Sequence, residues 1–311
     1  MSAPKPSSRG ERSPLDLTVA IPVRNDAPIL GACLEALGSD FAKNIVIIES
    51  GEEDGTASVA ALYRATLLRF RWDGRFPKKR NWFLRNHTPD TTWVLFLDAD
   101  EIVTPGFKEE LRRVIPCSRE DGYWLRYSIH FMGRRLRHGY PLRKLALFRV
   151  GSGEYERIEE DSWSSLDMEV HEHPVLNGST AEIRSVIDHR EDRGISAYVR
   201  KHDEYSSWEA ARILASEGET PDRARWTWKQ RLKRHLVLSP LAGPVYFFGS
   251  YVVMGGFLDG AMGLEFAILK ASYFTQVACK VRELKSRGSA VRKSSAETAP
   301  EGSASKPSAN R

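Results

Sequence analysis

Four short apolar runs organise the first hundred residues: Leu17 to Val23 (LTVAIPV), Asn44 to Ser50 (NIVIIES), Leu67 to Phe70 (LLRF) and Trp93 to Leu97 (WVLFL). Each is brief, rich in branched or aromatic residues and bounded by polar or turn residues, which predicts strands. The intervening segments change to a helical period. Ile29, Leu30, Cys33, Leu34 and Leu37 share one face of a helix that Asp26 and Pro28 open and Gly38 stops. Asp54 is placed to cap a second helix near Thr56, Pro77 to His87 predicts a third, and Pro105 opens a fourth. Strands alternating with helices at this spacing predict βαβ units, a mainly parallel sheet and an α/β fold. Asp121 to His130 (DGYWLRYSIH) then alternates as a half-exposed strand does, and Ser196 to Ser216 is amphipathic at helical period.

The fourth run ends abruptly in acid: WVLFL is followed by Asp98, Ala99, Asp100 and Glu101. An uninterrupted apolar run suits a central strand buried on both faces, and open α/β sheets bind ligands beyond the carboxyl ends of their strands. Asp98 and Asp100 repel each other unless a cation stands beside them, and a hard divalent ion with oxygen ligands answers that need. The competing reading is an acidic cap for the helix that Pro105 opens. Glu49 ends the second strand in the same way, so a base and ribose have a place at one strand end and a metal-diphosphate at the other. Neither G-x-G-x-x-G nor G-x-x-x-x-G-K-[ST] occurs, so dinucleotide and P-loop readings have no support.

The series IPVRND, IVIIESGEEDGT, KKRNWFL and WVLFLDADE resembles the family 2 glycosyltransferases of GT-A fold. More narrowly it is similar to the bacterial branch that adds sugars to lipopolysaccharide cores and related envelope glycans. That branch carries a W-x-G-F-x-x-(Q/K)-(K/R)-N segment before its DADE, present here as RWDGRFPKKRN. The match runs from about Leu17 to Leu284. It departs at Glu49, where the family has Asp, and at Glu52-Glu53, which replace a Ser-Thr pair.

The resemblance implies a Rossmann-like GT-A domain over residues 15–190, with a nucleotide-binding half (15–115) and an acceptor half (116–190). It places Pro22, Asn25, Glu49, Asp54, Lys79, Asn81 and Asp98 at the nucleotide-sugar donor, a UDP-sugar being favoured. Asp100 would hold Mg²⁺ or Mn²⁺, with Asp98 on the ribose or metal and His171 as a further ligand. In MEVHEHPVLNG, Glu172 matches the acceptor side of the family and would act as the base. Catalytic roles thus fall on Glu172 and Asp100, and the transfer is expected to invert the anomeric carbon. His189, in VIDHRED, also matches a family histidine and is expected to support the structure. Glu101 is expected to support the following helix. Two alternatives stand beside this reading: a polyprenyl-phosphate sugar synthase, and a non-catalytic, membrane-docked nucleotide-sugar binder.

Arg134, Arg135, Arg137, Arg143 and Lys144 form a basic segment that is either a solvated face or an anion site for a diphosphate or a phosphorylated acceptor. Composition adds little against a globular enzyme: 41% of residues are hydrophobic and the net charge is +5. Three distant cysteines predict no disulfide framework and fit a reducing compartment. The first 14 residues lack the apolar core of a signal peptide and, like those from 286 to 311, read as a disordered tail. Arg223 to His235 is basic and holds two Trp, but no nucleic-acid motif accompanies it. Leu236 to Leu258 then carries no charge, and the apolar character continues to Cys279. The region 191–285 is therefore expected to be helical and membrane-associating, as an interfacial or re-entrant hairpin, a true span or a buried core element. A cytoplasmic enzyme at the inner face of the cell membrane, acting on a lipid-linked or lipopolysaccharide-core-type acceptor, follows from the resemblance.

Overall fold

The computed structural model describes residues 13–158, 166–167, 173–191, 193–219 and 235–297. Its first half alternates as the apolar runs predict: β1 (Leu15–Val23), α1 (Ala27–Leu37), β2 (Ala42–Glu49), α2 (Thr56–Leu62), β3 (Thr66–Arg69), α3 (Lys79–Asn86) and β4 (Trp93–Phe96). Next come β5 (Glu101–Val103), α4 (Pro105–Val114), β6 (Gly122–Phe131), β7 (Arg134–Leu136), β8 (Leu142–Arg149), β9 (Gly153–Tyr155), β10 (Pro174–Leu176) and β11 (Thr180–Glu191). Helix α5 (Ile195–Glu219) leaves the sheet. Helix α6 (Ala242–Phe247), a wide turn at Phe248–Val253, a 3₁₀ turn at Gly256–Asp259 and α7 (Gly260–Glu297) complete the described chain.

Among the described residues, nine strands form one sheet in the order β3-β2-β1-β4-β8-β6-β11-β5, with β7 paired to β6. The pairs β3/β2, β2/β1 and β1/β4 are parallel, β8 runs antiparallel between β4 and β6, and β11 returns parallel to β6. Strand β4 is central and its side chains alternate between two apolar layers. Trp93, Leu95 and Leu97 enter the layer that holds α1 and α4, while Val94 and Phe96 enter the layer of Phe83, Phe148 and Tyr155. This burial on both faces explains the unbroken apolar run, since neither face of the strand meets water.

The loops after β1 and β2 clasp each other at the carboxyl edge. Asn25 takes a left-handed conformation (φ 58°) and its side-chain oxygen accepts from the Glu52 N–H at 3.1 Å. A Cβ on Gly51 would collide with the Asn25 side chain and backbone, so glycine is required there. Asp54 serves both loops, accepting from the Thr56 N–H (3.0 Å) and the Ala27 N–H (3.1 Å). Asp26, at the start of α1, caps nothing with its side chain and pairs with Arg193 at 2.8 Å.

Glu101 differs from expectation. It begins β5 and is buried, and its carboxylate accepts from the Asp98 N–H and from Lys144. Helix α4 is capped instead by Thr104, whose hydroxyl accepts from the Phe107 N–H at 3.2 Å. Glu101 turns inward to Lys144 on β8, and the Thr104 hydroxyl three residues later takes the cap.

Candidate active site

Strand β4 ends at the middle of the sheet, and the chain turns through Asp98–Asp100 before β5 pairs antiparallel with β11. That register sets Glu101 opposite His189 and Ile102 opposite Asp188, while the Arg190 N–H bonds the Asp100 carbonyl at 2.8 Å. Since alternate strand residues share a face, His189 and Glu191 both reach the Asp100 carboxylate. Ligand atoms of Asp100, His189 and Glu191 lie within 4.8 Å of one another. The Nε2 of His189 is 3.7 Å from Asp100 Oδ1. That oxygen is buried and has no hydrogen-bond partner, although carboxylate oxygens in such positions ordinarily have one. One imidazole and two carboxylates form a donor set that suits Mn²⁺ or Mg²⁺.

Two cations face the same group. Lys201 Nζ is 3.5 Å from Asp100 Oδ2 and 3.2 Å from Glu191 Oε2. Arg193 NH2 is 3.5 Å from Asp100 Oδ2 and 3.1 Å from Glu191 Oε1. Burial alone would raise the Asp100 carboxyl, but Lys201, followed by His189, brings it below the usual carboxylate range. Burial lowers the His189 imidazole, with Asp100 opposing and Lys144 and Lys201 adding to the shift.

Asp98 stands apart from this group. Its two carboxylate oxygens are held by Arg80 and Lys144, each at 2.7 Å. Burial opposes its ionisation, yet Lys144 and then Arg80 hold its carboxyl well below the ordinary value. The two acids of the DAD turn therefore serve separate networks: Asp98 orders a pair of cations, and Asp100 meets His189 and Glu191. Arg80 comes from α3, where Lys79, Arg80 and Asn81 are all buried. Lys79 donates to the Val23 carbonyl at 2.8 Å and pairs with Asp167 at 3.3 Å. Asn81 presents its amide to the backbone of Tyr155, donating to its carbonyl and accepting from its N–H, both at 2.9 Å.

The remaining expected site residues fall as follows. Glu49 is buried at the end of β2, 3.5 Å from Arg69, with Asp54 nearby; burial raises its carboxyl against the pull of Arg69. Pro22 pairs with Ile48 inside the sheet. Of the basic segment from Arg134 to Lys144, Lys144 alone turns to the acidic centre. Arg134, Arg135, Arg137 and Arg143 are exposed. His171 and Glu172 lie outside the described residues. Glu191, Arg193, Arg80 and Lys201 were not singled out by the sequence. The alternation DHRED could have flagged His189 and Glu191 as one face, but nothing local points to Lys201, which reaches the site from another element.

Residues 18–165 match the model of the family described as Glycosyl transferase family 2. They form a family 2 glycosyltransferase domain. The chain is also similar to the lipopolysaccharide core biosynthesis glycosyltransferase LpsC of Rhizobium meliloti, 26% identical over 281 residues, which cover 84% of this chain and 93% of the relative. A shorter likeness, 34% identical over 79 residues, joins it to a TPR repeat-containing protein of Synechococcus elongatus, covering 25% of this chain and 19% of that protein. Among solved structures, the mannosyltransferase PcManGT of Pyrobaculum calidifontis, in complex with GDP-Man and Mn²⁺, is similar at 14% identity with a TM-score of 0.48, covering 87% of this chain and 89% of that one. Glucosyl-3-phosphoglycerate synthase of Mycobacterium tuberculosis, in complex with Mn²⁺, UDP and glucosyl-3-phosphoglycerate, matches 38% of this chain at 18% identity and a TM-score of 0.30. The chain spans 44% of that synthase. The architecture of the glycosyltransferase domain rests on its own sheet order, with the parallel half leading to the DAD turn.

Proposed function

We propose that this glycosyltransferase moves a sugar, with inversion, from a nucleotide-sugar donor to a lipid-linked or lipopolysaccharide-core-type saccharide in a divalent-metal-dependent reaction. The observation that carries the reading is the meeting of Asp100, His189 and Glu191 beyond the carboxyl end of the central strand, with one Asp100 oxygen buried and unpartnered. The likeness to LpsC, named for lipopolysaccharide core biosynthesis, supports the acceptor class. A UDP-sugar is the favoured donor on the resemblance of the four motifs.

In this reading Asp100 and His189 would hold Mn²⁺ or Mg²⁺, with Glu191 as a third donor. Bound there, the ion would supply positive charge to the leaving diphosphate. Arg80 and Lys144 fix Asp98 toward the donor ribose, and Glu49, Asp54 and Asn25 shape the nucleoside end of the cleft. The acceptor hydroxyl oxygen bonds to the anomeric carbon as the carbon–oxygen bond to the diphosphate breaks on the opposite face. The hydroxyl proton passes to a carboxylate base, for which Glu172 is the assignment.

A thermal-shift series with UDP-, GDP- and dTDP-sugars, with and without Mn²⁺, tests the donor and the metal together. At donor concentrations about a hundred times Kd, binding stabilises by about 2.7 kcal/mol. The expected result is a rise in melting temperature with a UDP-sugar that requires Mn²⁺. If no nucleotide sugar moves the transition under either condition, the donor reading fails.

The same reading sets the enzyme on the cytoplasmic face of the inner membrane. No single helix among the described residues is long and apolar enough to cross a bilayer, but 242–253 and 256–287 form an apolar pair bent by 71°. One side of this pair is core, since Phe266 packs on Phe131 and Tyr140. At the bend, Val253 is 71%, Leu258 61% and Phe257 50% exposed. Asp259 accepts from the Arg137 and His138 N–H groups beside them, at 3.0 and 2.9 Å, so the basic segment borders the apolar bend. An apolar wedge rimmed by cations suits an anionic lipid surface. Replacing Phe257 and Leu258 together by Ser is expected to lower sedimentation with phosphatidylglycerol vesicles by about tenfold, with the melting temperature unchanged. Undiminished sedimentation would exclude this bend as the docking surface.

A further inference from the structure

The acidic group expected to take a divalent ion already has two cations inside it. Asp100 and Glu191 carry two negative charges, and Lys201 and Arg193 balance both at 3.1–3.5 Å. The two cations are tied differently. Arg193 also bonds Asp26 at 2.8 Å, so its guanidinium is anchored on a third carboxylate at the edge of the group. Lys201 reaches inward from α5 and contacts only Asp100 and Glu191 among the acids described around it. Its ammonium sits on Oδ2 of Asp100 and Oε2 of Glu191, while the unpartnered Oδ1 of Asp100 is the oxygen near His189. An ion on that Oδ1 would share its carboxylate with the ammonium and meet its positive charge at close range.

We infer that Lys201 is a tethered counter-cation: its ammonium neutralises charge on Asp100 and Glu191 and thereby weakens and tunes divalent-metal binding by this group. The inference rests on the metal reading given above. The helix that carries Lys201 is pinned. Lys280 of α7 bonds the Asp203 carboxylate and carbonyl and the Ser206 and Ser207 hydroxyls, holding α5 one turn beyond Lys201. An ammonium on a four-carbon stem is mobile and readily rehydrated, unlike a forked guanidinium. The Lys201 side chain keeps 26% of its exposure, and its Nζ lies 6.0 Å from the Tyr205 ring while it faces the acids. Since α5 lies outside the matched family segment, the affinity of the metal group is set partly by the C-terminal helices.

The test is direct titration of the full chain with Mn²⁺ alone, reading free ion by electron paramagnetic resonance, with no nucleotide and no turnover. Lys201→Met removes one positive charge within 3.5 Å of both carboxylates, and its Mn²⁺ affinity is expected to rise by at least about tenfold. Lys201→Gln, which is polar and of similar length, is expected to tighten binding as well, which guards against a packing effect of Met. Lys201→Arg retains the charge and is expected to bind no more tightly than the parent chain. If the parent binds Mn²⁺ in an Asp100-dependent way and neither neutral variant binds tighter, the counter-cation role is overturned while the metal reading stands. If neither the parent nor any Lys201 variant binds Mn²⁺, the metal reading itself falls, and this inference with it.

Discussion

Asp100→Asn is expected to leave a folded domain with kcat/KM for sugar transfer reduced by about a thousandfold or more, some 4 kcal/mol of lost transition-state stabilisation. The substitution keeps the shape of the side chain and the carbonyl that accepts from Arg190. Lys201 and Arg193 keep Glu191 as a partner, so no cation is stranded. What disappears is one full negative charge in the group that also holds His189. Chelation of the parent enzyme with EDTA should reproduce the loss, and added Mn²⁺ should reverse it in the parent but not in the variant. Steady-state transfer assays with and without chelator decide the matter. Near-parent turnover in Asp100→Asn, or activity insensitive to EDTA, would remove metal dependence from the mechanism.

Asn81→Ala is expected to act on stability instead, costing about 2–4 kcal/mol. Asn81 is fully buried, and its amide mimics a neighbouring strand by donating to the Tyr155 carbonyl and accepting from the Tyr155 N–H. Alanine removes both bonds while Tyr155 stays buried between Phe96 and Phe148. Burying a polar backbone group without a partner costs more than the bond itself contributes. Chemical denaturation should show the loss as a lowered midpoint, with the donor KM of the folded fraction unchanged. Were Asn81 a donor contact, as the motif resemblance implies, KM would rise and the midpoint would stay. The structure favours the first outcome because both polar atoms of the amide are engaged by the protein.

The two variants separate residues that a motif groups together. Within KKRN, Lys79 and Asn81 bond backbone carbonyls and Asp167, while Arg80 between them reaches Asp98. Within DADE, Asp98 and Glu101 share Lys144, and Asp100 belongs to another network. Adjacent letters of a motif can thus serve folding and chemistry alternately, because successive side chains at a strand end or helix start point in different directions.

What the sequence determined by itself was local. Trp93 to Leu97 suited a central strand, since burial on both faces makes five apolar residues in succession favourable. The alternation of runs and amphipathic segments then implied a mainly parallel sheet, and acids at the end of its middle strand implied a site there. The partners of those acids were decided by the tertiary structure. His189 and Glu191 meet Asp100 only through the antiparallel register of β5 on β11, and a shift of one residue would have turned both away. Lys144 meets Asp98 and Glu101 because β8 inserts antiparallel beside β4, and Lys201 arrives from a helix about a hundred residues along the chain. Charge attraction acts through space at a few ångströms, whatever the separation in sequence, so which cation neutralises which carboxylate is settled only when strand order and register bring them together.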